Sequence, residues 1–435
     1  MTAVAADTQP ADPERRTAFG LLFVVLMVVA AGNTALQAVM PAVGRELGRN
    51  DTLVAGIYSL SSLLWAASAP FWAGQSDKRG RKPLILFGLA GYVVSMVLFG
   101  GAVLMGLHGW LPVLVVFPLL LLARAVYGVT GSATNPASQA YVADRTGFEG
   151  RTQALATLAS AIGLGTVLGP AIAPFLALPP IGLTGPMFIF AAVAAATLWA
   201  VWKRLPETPT EAAASRLEGV AAPSAERRPG LMTDPRVRSF LLYAFLIISA
   251  QAAQTQALGF LIIDVLQMRP IQAQTFIGAA MMAGAAAGLL AQWGLIHLLH
   301  MTPKALMKWG AAAALAGNVL TAFAPDYGSV VFAFALATLG FGFARPGFTA
   351  GASLNVGPDE QGKVAGVVTA VIGAGFIISP VAAMALYEWW RPAPFLMNGA
   401  FAAAALALAF WDRTLAHAGE VKVEPQPQST TLLRG

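Results

Sequence analysis

The sequence predicts an all-α integral membrane protein with about twelve transmembrane helices in two pseudo-symmetric six-helix halves. Three observations carry this. Hydrophobic residues make up 57% of the 435 and charged residues only 11%, with a positive mean hydropathy, whereas soluble domains carry roughly 25% charge. Apolar stretches of about 20 residues, each long enough to cross a bilayer, recur between short polar gaps. Finally, the two parts resemble each other at a separation of 210 residues: Asn135-Pro136 matches Arg345-Pro346, Glu149 matches Asp359, and Gly165-xxx-Gly169-Pro170 matches Gly375-xxx-Ser379-Pro380. A tandem duplication puts a pseudo-two-fold axis along the membrane normal and a site near the midplane where the halves meet. Chance recurrence of small residues and prolines in apolar helices is the alternative.

Residues 1–18 form a polar tail with Arg15 and Arg16. The first apolar stretch, 19–41, is too long for a secretory signal and is expected to remain as the first span. Further spans are expected near 52–74, 83–106, 111–134, 152–177 and 184–202, completing an N-terminal bundle over 19–202. A segment rich in Ala, Pro, Glu and Arg, 203–237, then links the halves. The C-terminal bundle, 238–411, is expected to hold spans near 238–262, 271–298, 304–324, 328–350, 362–387 and 392–411, followed by a tail over 412–435. Six plus six spans put both termini and the linker on one side. Of the 27 Lys and Arg residues, 21 fall on that side, four on the other (Arg45, Arg49, Arg269, Arg391) and two within spans. Positive charge marks the cytoplasmic face, so both termini are expected in the cytoplasm of an inner-membrane protein.

Composition also excludes classes. No cysteine is present, which removes disulfides, thiolate metal sites and iron–sulfur clusters. The formal charge of +6 gathers in loops, without the basic stripe of a nucleic-acid binder. His297 and His300 lie three apart with no carboxylate or cysteine nearby, which suits the membrane interface better than a metal. Neither a metal nor a cofactor is expected. No nucleotide-binding loop, His-Glu-x-x-His or nucleophile elbow occurs, and the loops are too short for a soluble catalytic domain, so an enzyme is not expected.

Three motifs carry chemistry. Between spans 2 and 3 the chain reads Ala73-Gly-Gln-Ser-Asp77-Lys-Arg-Gly80-Arg81-Lys82. An Asp at a helix end facing arginines forms charge-assisted hydrogen bonds that exist in one state and break in another. These cations alternatively serve only as topology anchors. In span 4, Arg124-Ala-Val-Tyr127-Gly128-Val-Thr-Gly131 places an arginine deep in the membrane, which costs several kcal/mol unless it faces a cavity, a carboxylate or backbone carbonyls. Arg124 should therefore face inward, with bonding to span-1 carbonyls as the structural alternative. In span 5, Gly165-Thr-Val-Leu-Gly169-Pro170 supplies small-residue spacing and a helix bend, which would let the span pack against its counterpart in the other half.

On these motifs the chain resembles the major facilitator superfamily over nearly its whole length, and within it the twelve-helix proton-coupled drug and metabolite antiporters. The resemblance implies the major facilitator fold, a loop at Asp77, Gly80, Arg81 and Lys82 that clasps neighbouring helices when the cytoplasmic side is shut, an arginine at Arg124 that assists proton transfer, and an exporter motif at Gly165, Gly169 and Pro170. Ala73, Gln75 and Ala173-Pro174 depart from the family pattern.

Other departures bear on the substrate. Family members commonly carry an acidic residue in a central span; here Asn33 and Gln37 hold such positions, no Asp or Glu lies mid-span, and Asp264 and Glu388 fall at outer helix ends. A second arginine, Arg345, falls in span 10. Two buried positive charges without a central carboxylate argue for an anionic or zwitterionic substrate. In span 7, Gln251 and Gln254 share a face and are candidate ligands, while Gln256 points elsewhere; helix-to-helix bonding is their structural alternative. Tyr58, Trp65, Tyr127 and Phe348 are candidates to line an amphipathic cavity. The expectation is thus a monomeric secondary transporter that exports a small amphipathic organic compound, siderophore- or metabolite-like, driven by protons. Asp264, Glu388 or the substrate's own carboxylate would carry the proton beside Arg124. A polyspecific drug pump, or uptake of an organic anion, are the alternatives.

Overall fold

The computed structural model describes residues 13–48, 50–146, 148–177, 181–207, 232–357 and 360–416. Among these every regular element is helical. Span 1 is Pro13–Glu46, span 2 Asp51–Arg79 and span 3 Arg81–Leu107. Span 4 comprises Val113–Gly131 and, after a break, Thr134–Asp144; span 5 is Phe148–Leu176 and span 6 Gly185–Arg204. The second half repeats the order with Pro235–Leu266 (span 7), Pro270–Leu289 extended by a π-helical turn Leu290–Leu295 (span 8), Pro303–Ala322 (span 9), Tyr327–Leu354 (span 10), Gln361–Trp389 (span 11) and Ala393–Trp411 (span 12). Eleven of these are long and apolar enough to cross a membrane. Span 9, with Lys304, Lys308 and Asn318, is less apolar, and it packs between spans 10 and 12.

The helices overrun the expected spans. Span 1 begins at Pro13 rather than 19, because a proline in the first turn needs no backbone donor and Glu14 suits the helix N-terminus. Span 4 breaks after Gly131, so that Pro136 falls in the first turn of the second segment, where its missing N–H costs nothing. Its repeat partner, Pro346, lies inside the unbroken helix of span 10. Glu149, Asp359 and linker residues 208–231 lie outside the described side chains.

Successive spans run antiparallel, so both chain ends and the linker share one end of the bundle. Arg45, Asp51, Asp264 and Arg391 share the other, here called the Arg45 end. One hydrophobic core contains nearly all the buried residues of the N-terminal half together with the Arg45-end portions of spans 7, 8, 10, 11 and 12. A second core, built from the terminal-end portions of spans 7, 9, 10, 11 and 12, contains only residues of the C-terminal half. Apolar packing therefore joins the halves at the Arg45 end. Span 2 against span 11 and span 5 against span 8 are the broadest contacts between them.

Candidate functional site

A single guanidinium organises the interior of the N-terminal half. Arg124 is 5% exposed. Its Nη1 donates to Asn33 Oδ1 of span 1 at 3.1 Å, and Asn33 Nδ2 donates to the Tyr127 hydroxyl. The guanidinium carbon lies 4.7 Å from the Tyr127 ring centroid and 5.7 Å from that of Tyr58. Tyr92 of span 3 meets Tyr127 edge-on at 5.6 Å. Aromatic faces thus supply part of the negative potential that a carboxylate would otherwise provide. The buried Arg124 Nε and the hydroxyls of Tyr58 and Tyr92 have no partner among the described residues, a set that a water or a ligand group would complete. Arg124 faces inward as expected, held by a side chain of span 1 rather than by its carbonyls. Asn33 is committed to Arg124 and Tyr127, so its amide positions the guanidinium.

Arg345 behaves differently from the expected buried charge. It lies deep in the bundle, yet its side chain is exposed and forms no hydrogen bond or ion pair among the described residues. It therefore borders an open space, not a packed neighbour. Counting 1.5 Å per residue from the Arg45 end, Arg124 is about 17 Å down its span and Arg345 about 27 Å. The two cations are separated by about 10 Å in depth and do not form one level. The candidate glutamines also divide. Gln254 is fully buried with both amide atoms unpartnered, while Gln251 is half-buried. The structure corrects their joint assignment to a cavity, because packing encloses one of them. Gln37 is half-buried, and Phe348 is fully buried in the C-terminal core beside Tyr243, which removes it from any lining.

The Arg45 end holds the polar contacts that cross between halves. Arg45 Nε donates to Asp51 Oδ1 at 2.7 Å, and Arg45 Nη2 pairs with Oδ2 of the same carboxylate. Arg45 Nη1 reaches Asp264 Oδ1 of span 7 at 3.0 Å. The Tyr387 hydroxyl donates to Asp264 Oδ2 at 2.6 Å, Arg391 Nε lies 3.8 Å from the same oxygen, and the Arg45 guanidinium sits over the Phe260 ring. The Thr52 backbone N–H, in the first turn of span 2, donates to Glu388 Oε1 at 2.8 Å. Among the described residues, every hydrogen bond and ion pair between halves is in this cluster. Asp264 was expected at an outer helix end as a proton carrier; it is found there as the second carboxylate of Arg45.

At the terminal end, the polar contacts among the described residues stay within a half. Arg81 Nε bonds Asp144 Oδ2 of span 4 at 3.1 Å and Arg81 Nη1 bonds Ser76 Oγ at 3.0 Å. Lys82 is half-buried, and the side chain of Asp77 lies outside the described residues. Gly80 is the single residue between spans 2 and 3 and has φ 90°, a backbone region strained for any other residue. The Arg81 contacts tie spans 2, 3 and 4 of the N-terminal half together.

The span 5 motif also acts otherwise than expected. A Cβ on Gly165 would strike the Met27 carbonyl, and one on Gly169 the Ala31 carbonyl, so both glycines admit span 1 of their own half. The other half is met by the prolines: a Cβ on Gly278 of span 8 would stand 2.5 Å from Pro174 Cγ and 2.9 Å from the Pro170 carbonyl oxygen.

Tyr92 and the Arg45–Asp51–Tyr387 set escaped the sequence reading. Scarcity was the available signal, since Arg45 and Arg391 are among only four cations expected on their side. Among the described residues no group of three or more His, Asp or Glu is placed to hold a metal.

The sequence pattern of the Major Facilitator Superfamily matches residues 22–373 and 300–434. Multidrug resistance protein 2 of Bacillus subtilis (strain 168) is 24% identical over 401 residues, covering 89% of this chain and 92% of that protein. Tetracycline resistance protein, class G, of Vibrio anguillarum is 28% identical over 387 residues, covering 84% and 90%. Among solved structures, a bacterial homologue of the human lysosomal transporter Spinster, inward-facing and occupied, superposes with a TM-score of 0.68 at 12% identity over 92% of this chain and 97% of that one. The human organic anion transporter MFSD10 gives 0.63 at 19% identity, over 92% and 100%. These likenesses establish a shared fold.

Proposed function

The chain belongs to the Major Facilitator Superfamily, a multi-pass membrane transporter and not an enzyme, and on that premise we propose that it exports a small amphipathic organic anion or zwitterion, siderophore- or metabolite-like, by proton-coupled alternating access. In this reading both termini face the cytoplasm, the monomer is the working unit, and the conformation described is open to the cytoplasm. The observation that carries the reading is Arg345, an exposed guanidinium deep in the bundle with no side-chain partner among the described residues. An unpaired cation there favours an anionic group and disfavours a lipophilic cation. Arg124, boxed by Tyr58, Tyr92 and Tyr127, is the second station, deeper toward the shut end. Gln251 would line the route between them, Gln37 would line the cavity on the shut-end side of Arg124, and Asn33 would orient Arg124.

Polyspecific drug export is a second reading, favoured by relatives named for multidrug, tetracycline and quinolone resistance. Flux in proteoliposomes under an imposed pH gradient separates the two. With anionic metal chelators and lipophilic cations as the probes, the first reading expects gradient-driven anion flux that falls at least about tenfold in Arg345→Ala, the loss of one charge-assisted contact. Flux of cations alone, unchanged in Arg345→Ala, would replace it with the second.

A further inference from the structure

The cluster at the Arg45 end contains more negative than positive charge. Two cations, Arg45 and Arg391, face three carboxylates, Asp51, Asp264 and Glu388. Glu388 is accounted for locally by the backbone N–H of Thr52 at the N-terminus of span 2, where helix geometry favours an anion. Asp51 is held by two bonds from Arg45, within its own half. Asp264 reaches across: it receives two bonds from Arg45 of the opposite half, one from the Tyr387 hydroxyl, and a longer approach from Arg391. Beyond these groups lie Glu46 beside Arg45 and Arg269 in the turn after span 7, both exposed.

We propose that Asp264 is a proton-binding site whose occupation from the Arg45-end solvent unlatches the two halves. The charge arrangement gives the reason. With Asp264 ionised, Arg45 is shared between halves, and separating them strands a partly buried carboxylate from its cation. With Asp264 protonated, Arg45 and Asp51 form a neutral pair wholly within the N-terminal half. In the other half the neutral carboxyl stays with Tyr387, and Arg391 balances Glu388. Each half is then self-compensated, and among the described residues the Thr52–Glu388 bond is the one contact of a charged carboxylate left between them. Breaking a partly buried ion pair by separation is costly, whereas separating two neutral assemblies is not. This places the proton on the gate and removes the need for a central carboxylate, of which the sequence has none. The inference rests on the alternating-access part of the proposed function but not on the substrate.

The absence of native cysteine allows the latch to be read directly. Spin labels at His108→Cys and Ile271→Cys, exposed positions at the Arg45 end of opposite halves, report their separation by pulsed dipolar spectroscopy in nanodiscs, with no substrate. Between about pH 8 and about pH 3, a range that brackets the ordinary aspartate value of about 3.9, the distance should pass from a short to a long population. Asp264→Asn should show the long population throughout. Tyr387→Phe, a mild change that removes one donor to the carboxylate, should enlarge the long population at a given pH. A distance insensitive to pH in the parent, or a pH response in Asp264→Asn equal to the parent's, would overturn the proposal. Either result leaves the anion-flux test untouched, so the two failures are distinguishable.

Discussion

The two ends of this bundle use the same residue types to opposite effect. At the Arg45 end, one arginine divides its donors between carboxylates of different halves, and its charges hold the halves together. At the terminal end, Arg81 with Asp144, Arg236 with Glu360 and Ser239 with Asp412 each stay inside one half. Small residues follow the same division. Gly259 and Gly278 are pressed against Pro41 and Pro174 of the opposite half, whereas a Cβ on Gly366, near the terminal end of span 11, would meet nothing within 4 Å. The lesson is that a twelve-helix bundle of this kind is two rigid bodies whose state is set where contacts cross between them. Contacts of equal strength inside a half set stability and leave the state alone.

The largest expected effect breaks that contrast by wedging. Gly278→Val forces two methyl groups into the Pro170–Pro174 surface, and overpacking of this kind costs about 1–3 kcal/mol. The same substitution at Gly366 enters open space. A cysteine at Gln37, below the latch, should react with a membrane-impermeant maleimide at least about tenfold faster when combined with Gly278→Val and at an unchanged rate when combined with Gly366→Val. Equal rates would show that the Arg45 end is not held by close packing. Removing charge should act less. Arg45→Met orphans Asp51, whose side chain is 7% exposed; because Arg45 itself is 30% exposed, the cost is discounted to about 1–2 kcal/mol. Labelling at Gln37→Cys should rise several-fold. Arg81→Met should lower the melting temperature by a few degrees, about 1 kcal/mol for a half-buried pair, without changing that labelling rate.

How much of this was legible in the sequence depends on the kind of force involved. Hydropathy and charge placement suffice for the twelve spans and their grouping, because the bilayer imposes length and polarity on each segment separately. Arg124 was legible for the same reason: a charge deep in a span must turn inward. Its tyrosine box was only partly so, since Tyr92 on span 3 looks like any membrane aromatic until the fold brings it to Tyr127. Gly165 and Gly169 announced close packing, but which helix they admit is a property of the assembled bundle, and the neighbour proved to be span 1. Arg345 was read as buried because depth along a helix says nothing about whether the facing volume is filled. The latch was least legible. Arg45, Asp51, Asp264 and Tyr387 come from four spans, and only the pairing of halves makes them one site.

The smallest effect sharpens the contrast through pH. Asp412, just past span 12 at the terminal end, is partly buried, which raises its protonation range. The Ser239 hydroxyl and the backbone N–H groups of Leu415 and Thr414 outweigh this and hold the carboxyl below its usual value. A carboxylate depressed in the folded state adds stability that is complete above its unfolded value, about 3.9, and is lost as pH falls through the lower folded one. Melting temperature should therefore show an added loss below about pH 4 that Asp412→Asn lacks, with no change in the distance between labels at the Arg45 end. A carboxylate that ties elements of one half together can only weaken that half when it protonates. Asp264 differs in position, not in chemistry: it bridges the two halves, so on the proposal above its proton changes their arrangement before it changes their folding. If the Arg45-end distance moved only together with the melting loss, the two carboxylates would be doing the same thing, and the distinction between contacts within and between halves would fail.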